Sequence, residues 1–192
     1  VRELRFEVGA DFGQTAIITN ASGYGGQMAV GDMNGDGRMD IVTVGAGSSG
    51  AFVLNVLRNQ GSLNFSNQVY GAFSLRSASL SLGDYDGDGD LDVAVMGTPD
   101  GVTTNGRVLV LDNDGAGNLT QHGSSLAVLS FGHLAWGDAD NDGDLDLVVS
   151  GLSGAGAAGA ATNAPATGTS ACAGAAGWPA PRAARRFRRP RR

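Results

Sequence analysis

Short apolar runs alternate with polar, glycine-rich stretches along this chain, and they do so in a fixed order. "QMAV" (27–30), "SLSL" (79–82) and "HLAW" (133–136) each lead into a crowd of acidic residues. After it, "MDIVTV" (39–44), "LDVAVM" (91–96) and "LDLVVS" (145–150) follow. Apolar residues on successive positions, rather than in strict alternation, predict strands covered on both faces. A second pattern lies downstream. "FVLNVLRNQGSLNF" from Phe52 and "GRVLVLDNDGAGNL" from Gly106 align Leu57 with Leu111, Asn59 with Asn113 and Gly61 with Gly115. Polar clusters between β-rich runs of this kind predict hairpins. No helical periodicity of comparable length competes.

Each unit therefore reads as strand, acidic loop, strand, glycine-rich turn and a more polar hairpin. The first aspartates of the loops are Asp32, Asp84 and Asp138, so the unit recurs after 52 and then 54 residues. A four-stranded unit of about 50 residues, stacked face to face with its neighbours, describes a propeller blade. The expected fold is all-β: four-stranded antiparallel blades of an incomplete, truncated β-propeller. Residues 1–27 read as the end of a preceding blade, 28–80 as a first repeat, 81–134 as a second and 135–154 as a partial third. Propellers close with ~4–8 blades. Too few units are present for that, so the chain is expected to be a piece of a longer protein whose further blades cover the open faces.

Composition changes this picture at one place. Residues 155–192 hold seven arginines, no acid and mostly alanine and glycine. They read as a low-complexity tail, disordered or out of frame. Residues 1–154 hold all 19 acidic residues against six arginines, a net −13. That charge argues against nucleic acid and for cations as partners. Cys172 is the single cysteine, which excludes an intrachain disulfide. No run approaches the ~18 apolar residues of a membrane span.

The acidic loops carry the chemistry. In the second, Asp84, Asp86 and Asp88 occupy positions 1, 3 and 5, Gly89 permits a sharp turn at position 6, the Asp90 carbonyl faces inward at 7, and Asp92 closes the cage at 9. The same places are Asp32, Asn34, Asp36, Arg38 (carbonyl) and Asp40 in the first loop. In the third they are Asp138, Asp140, Asp142, Asp144 (carbonyl) and Asp146. Two carboxylates ~4 Å apart repel by about 1 kcal/mol even in water. Five of them beside a strand that wants burial make sense around a cation. Oxygen-only ligands in that number select Ca²⁺, one per loop and three in all. The first site is expected to be weakest, because Asn34 and Arg38 reduce its negative charge.

An EF-hand would place Glu at position 12 between helices. Here that position is Thr43, Val95 and Val149, inside β-rich runs. The pattern D-x-[DN]-x-D-G-x-x-D, preceded by glycine and followed by an apolar strand, resembles the FG-GAP and VCBS repeats of integrin α-subunit propellers and many bacterial secreted proteins. "FGHLAWGDADNDGDLDLVVSG" from Phe131 is nearest to it; the first repeat has Tyr24-Gly25 in the corresponding region, and the second departs from it. The resemblance covers about residues 20–152. It implies a propeller with a mainly structural Ca²⁺ in each blade, on a secreted or cell-surface protein that binds protein or glycan ligands. An adhesion or ligand-binding scaffold is the expected role. The rival is the propeller portion of a carbohydrate- or lipid-active secreted enzyme whose catalytic residues lie outside this chain.

Within the chain no catalytic constellation stands out. His122 and His133, the two histidines, lie in no recognisable motif, Trp136 reads as core, and the two glutamates are Glu3 and Glu7. A paired-carboxylate hydrolase would have to use aspartates the metal already holds.

Overall fold

The computed structural model describes residues 4–7, 15–18, 24–46, 52–62, 64–70, 75–126, 128–153, 156–163 and 171–173. It is all-β. Strands β1 (Leu4–Glu7) and β2 (Thr15–Ile18) form an antiparallel pair. Three four-stranded antiparallel sheets follow, each a meander in chain order. The first contains β3 (Tyr24–Gly31), β4 (Asp40–Ala46), β5 (Phe52–Asn59) and β6 (Phe65–Tyr70). The second contains β7 (Arg76–Gly83), β8 (Asp92–Thr98), β9 (Arg107–Asn113) and β10 (Leu119–Gln121). The third contains β11 (Ser130–Gly137), β12 (Asp146–Ser153), β13 (Gly156–Asn163) and β14 (Ala171–Ala173).

Each sheet opens with the strand that precedes its acidic loop, so the sheets begin a few residues ahead of repeat boundaries drawn at 28, 81 and 135. Two strands, β13 and β14, lie in the alanine- and glycine-rich tail. There the tail pairs with β12 from Asp146↔Asn163 to Ser153↔Gly156. The arginine-rich end lies outside the described residues. Among the described residues, no helix is long and apolar enough to cross a membrane.

Successive residues of β8 face opposite neighbours, which is why its run is apolar without alternation. Val42, Val44, Leu54 and Val56 of the first sheet pack against Val93, Val95, Leu109 and Leu111 of the second. The intervening Ala94, Met96, Val108 and Val110 point the other way, onto Leu134, Leu147 and Val149 of the third. The central strand β8 is buried along its whole length.

All three opening strands carry a register shift at the same place: Tyr24/Gln27, Arg76/Ser79 and Ser130/His133. Counted back from Gly31, Gly83 and Gly137, the Phe131-Gly132 pair therefore aligns with Gly25-Gly26 and Ser77-Ala78. The aromatic of the first repeat, Tyr24, stands one residue earlier, at the place that Ser130 takes in the third. Ser77 and Phe131 take φ of 49° and 54° in the bulge. Gly132 lies so close to the β12 backbone at Ser150 and Gly151 that no side chain fits there.

A candidate metal centre in the acidic loops

Each loop leaves the last residue of an opening strand and returns nine positions later into a buried strand. The turn is made by two left-handed residues, at positions 4 and 6. They are Gly35 and Gly37 (φ 67° and 79°), Gly87 and Gly89 (75° and 98°), and Asn141 and Gly143 (60° and 99°). Asparagine is the non-glycine residue that best tolerates this region, which explains its place in the third loop. The curl aims the position-6 N–H at the position-1 carboxylate. Gly37 donates to Asp32 at 2.7 Å, Gly89 to Asp84 at 3.1 Å and Gly143 to Asp138 at 3.1 Å. In the second loop the side chains at positions 1, 3 and 5 then face one centre.

The loops differ in what they gather. In the second, carboxylate oxygens of Asp84, Asp86 and Asp88 lie within 4.8 Å of one another, and in the third those of Asp138, Asp140 and Asp146 do. Asp142 stands outside the third trio; its Oδ1 accepts the Asp144 N–H at 3.1 Å. The first loop, with Asn34 at position 3, collects no such trio among the described residues. Its charge is met internally: the Arg38 guanidinium holds Asp36 at 2.6 Å, and Asn34 donates to the same oxygen at 2.9 Å. Backbone N–H groups, Gly37 first, hold the Asp32 carboxyl below its ordinary pKa. Arg38 thus occupies the electrostatic role that a cation would take in the neighbouring loops.

Elsewhere the proximity of like charges is not neutralised. Burial first, then Asp88 and Asp84, pushes the Asp90 carboxyl up. Burial, Asp142 and Asp146 do the same to Asp140. The residues present fit a hard divalent ion, and one atom says so directly: Asp84 Oδ1 is buried with no hydrogen-bond donor. A buried carboxylate oxygen without a partner is costly, and a cation beside Asp86 and Asp88 satisfies it.

Position 9 has a second employment that spacing alone does not reveal. Asp40, Asp92 and Asp146 are almost fully buried, and each reaches back across its loop to accept the position-2 N–H. Met33 donates to Asp40 at 3.0 Å, Tyr85 to Asp92 at 3.3 Å and Ala139 to Asp146 at 2.7 Å. The other oxygen takes an N–H from the end of the third strand, Asn59 onto Asp40 at 2.7 Å and Asn113 onto Asp92 at 2.8 Å. Burial nevertheless pushes Asp92 up to about 6, because desolvation outweighs those two bonds. These aspartates are brackets that tie loop to sheet, and Asp146 also joins the trio of its loop.

Asn59 and Asn113 align in the sequence, where they read only as turn residues. Asn113 Nδ2 donates to Leu91 O at 3.0 Å within its own blade and to Met33 O at 2.9 Å in the first loop. It thereby pins one loop to the next blade. Behind the second loop, Tyr85 donates to Asp112 at 2.7 Å, lies 2.9 Å from His122 Nδ1, and stacks on Trp136 at 5.7 Å. His122 Nδ1 in turn approaches Asp112 at 3.0 Å. Burial and Asp112 raise the Tyr85 pKa, so this cluster is a closed hydrogen-bonded prop for the loop.

A search of curated proteins finds no match to this chain. The span 32–95, from the first ligand position of loop one into β8, does match a family model, that of the FG-GAP-like repeat. These residues thus carry an FG-GAP/VCBS-like repeat, which together with the four-stranded antiparallel sheets supports a β-propeller-like repeat module.

Proposed function

We propose that this chain is a calcium-binding module of a secreted or cell-surface protein, acting as a scaffold for adhesion or for binding a protein or glycan ligand. The observation that carries the metal is the second loop, where three carboxylates converge around a buried Asp84 oxygen with no donor. Calcium suits it better than magnesium: the ligands are many, all oxygen, and held by a flexible turn rather than an octahedral cage. The ion's part is structural. It neutralises charge at the point where each blade's first two strands join. The ligand-binding part of the reading rests on the repeat resemblance. We read it as non-enzymatic because its clustered carboxylates are those of the acidic loops, and His122 is held in the Tyr85–Asp112 cluster.

Calcium titration by calorimetry tests the metal, alongside thermal melts with calcium and with a chelator. Modules of this kind bind with Kd of ~10⁻⁴–10⁻³ M, so about 1 mM free Ca²⁺ stabilises by roughly 0.4–1.4 kcal/mol per site. Loops two and three are expected to fill before loop one, whose Asp36 is already paired with Arg38. No heat of binding and coincident melts would remove calcium from the reading.

A further inference from the structure

Two asparagines of this chain are followed by glycine, in Asn34-Gly35 and Asn105-Gly106. That dipeptide has a reaction of its own. With no Cβ on the second residue, its backbone nitrogen can close on the asparagine side-chain carbon and expel ammonia. The two sites are held in opposite senses. Asn34 bonds forward: its Nδ2 donates to Asp36 Oδ2 at 2.9 Å, and its Oδ1 accepts the Asp36 N–H at 3.4 Å. Both ends of the carboxamide are thereby tied to the residue beyond Gly35, which lays the group across the Gly35 peptide. The N–H on its oxygen also draws electrons from the carbon to be attacked. Asn105 bonds backward, its Nδ2 donating to Asp100 five residues upstream.

The two glycines differ as well. Gly35 is exposed, and a Cβ built on it would meet nothing within 4 Å. Gly106 is buried, and a Cβ there would stand 2.4 Å from the carbonyl carbon and oxygen of Leu129 and 2.9 Å from Ser130 N. Water and base reach the first peptide and are kept from the second. The place of Asn34 in its loop gives the reaction a consequence. It stands at position 3, where the other loops have Asp86 and Asp140, and it is the one residue at positions 1, 3 and 5 of loop one that is not a carboxylate.

We propose that Asn34 is a self-modification site, converting to aspartate through a cyclic imide with Gly35 and so giving loop one its third carboxylate. The Gly35 nitrogen loses its proton to solvent base and bonds to Asn34 Cγ. The Cγ–Nδ2 bond breaks, and the nitrogen leaves as ammonia after taking up a proton. Water then opens the imide. Attack at Cγ returns a proton to the Gly35 nitrogen and leaves Asp at position 34, whereas attack at the backbone carbonyl leaves the isoaspartyl form, whose chain runs through Cγ. One water is consumed and one ammonia released, with no oxidation or reduction. The conversion removes the Asn34–Asp36 bond and sets a new negative charge beside Asp32 and Asp36, more than Arg38 alone balances. The consequence for calcium rests on the metal reading of the loops; the covalent step does not.

The whole folded chain, held in mildly alkaline buffer and sampled over time, is cut after arginine, which puts Asn34 and Asn105 in separate peptides. Mass spectrometry should show amide-to-acid conversion at Asn34 at least about tenfold faster than at Asn105. In denaturant, which frees both side chains, the two rates should draw level. Equal rates in the folded chain, faster conversion at Asn105, or an Asn34 that converts only in denaturant would each overturn the proposal. Asn34→Asp, made directly, reads the consequence. Loop one of that variant should bind calcium about fivefold or more tightly than in the parent chain, since one more charge faces the ion. An unchanged affinity there, with calcium still bound at loops two and three, would overturn the third-carboxylate half of the proposal. Calcium bound at no loop, with Asn34 still converting, would tell against the metal reading and leave the modification standing.

Discussion

Asp84 and Asp100 show how differently two aspartates of one blade are used. Asp84 Oδ2 accepts the Gly89 N–H, while Oδ1 is buried without a donor. Asp84→Asn keeps an acceptor for Gly89 and removes the charge. It should lower calcium affinity at the second loop at least about tenfold by calorimetry, yet leave the chelator-treated melt unchanged or higher, because one repelling carboxylate is gone. Asp100 is instead fully met: Asn105 donates to it, as do Thr98 Oγ1 and the Val102 N–H, both at 2.9 Å. These bonds, the Asn105 amide first, hold its carboxyl below the ordinary value. A depressed carboxyl stabilises the fold above its unfolded pKa, and that contribution is lost as pH falls through the folded one. Asn105→Ala should therefore move the Asp100 titration seen by NMR upward, toward 3.8. An unmoved titration would discount the amide. The acidic clusters were legible because like charges at every second position repel one another, and the structure does gather Asp84, Asp86 and Asp88 in one loop and Asp138, Asp140 and Asp146 in another. The turn around Asp100 was not, since one Asp five residues before an Asn is an ordinary loop composition.

Loops and strands meet at the position-9 aspartates, and here sequence spacing carried only half the information. Reading Asp40, Asp92 and Asp146 as ligands follows from their place in the acidic pattern. Their bonds to N–H groups of Asn59 and Asn113, some twenty residues downstream, depend on β5 and β9 returning alongside β4 and β8. That return is a tertiary fact. Asp92→Ala leaves the Tyr85 and Asn113 N–H groups buried without acceptors, at a cost of ~1–3 kcal/mol each. Urea unfolding in chelator should show a loss of about 2–5 kcal/mol, and Asp92→Asn, which retains one acceptor, a smaller one. A loss seen only with calcium present would make Asp92 a ligand and nothing more. The apolar runs announced β4, β8 and β12 because both faces of each are packed or available for packing. The register shifts in β3, β7 and β11 had no such signal: Gly25, Ser77 and Phe131 stand at the same place in them with unlike side chains, and the aromatic-glycine pair of the first repeat sits one residue out of step.

Across the molecule, the repeat period fixed which residues meet between blades, and glycine is the clearest case. Gly31, Gly83 and Gly137 are indistinguishable in sequence, each followed by the first loop aspartate. Only the packing of a following blade makes the first two intolerant of a methyl group. Gly83→Ala drives a Cβ to 2.6 Å from Trp136 Cδ1, in a stack where Trp136 lies flat against Tyr85 at an interplanar angle of 10°. The indole cannot retreat without parting from Tyr85, so the joint between the second and third blades has to shift, at ~1–3 kcal/mol. Gly31→Ala meets the tips of Leu82 and Leu91, more pliable side chains, and should cost less. Gly137→Ala meets open space in the single chain and should be neutral or stabilising by a few tenths of a kcal/mol, as glycine in a strand loses more entropy on folding. The ordering Gly83, Gly31, Gly137 in chemical denaturation at low protein concentration follows from the blades stacking through these sockets in one direction along the chain. Equal losses at all three would mean that the glycines serve the loops they precede, and that the blades are held together by their β8-facing cores alone.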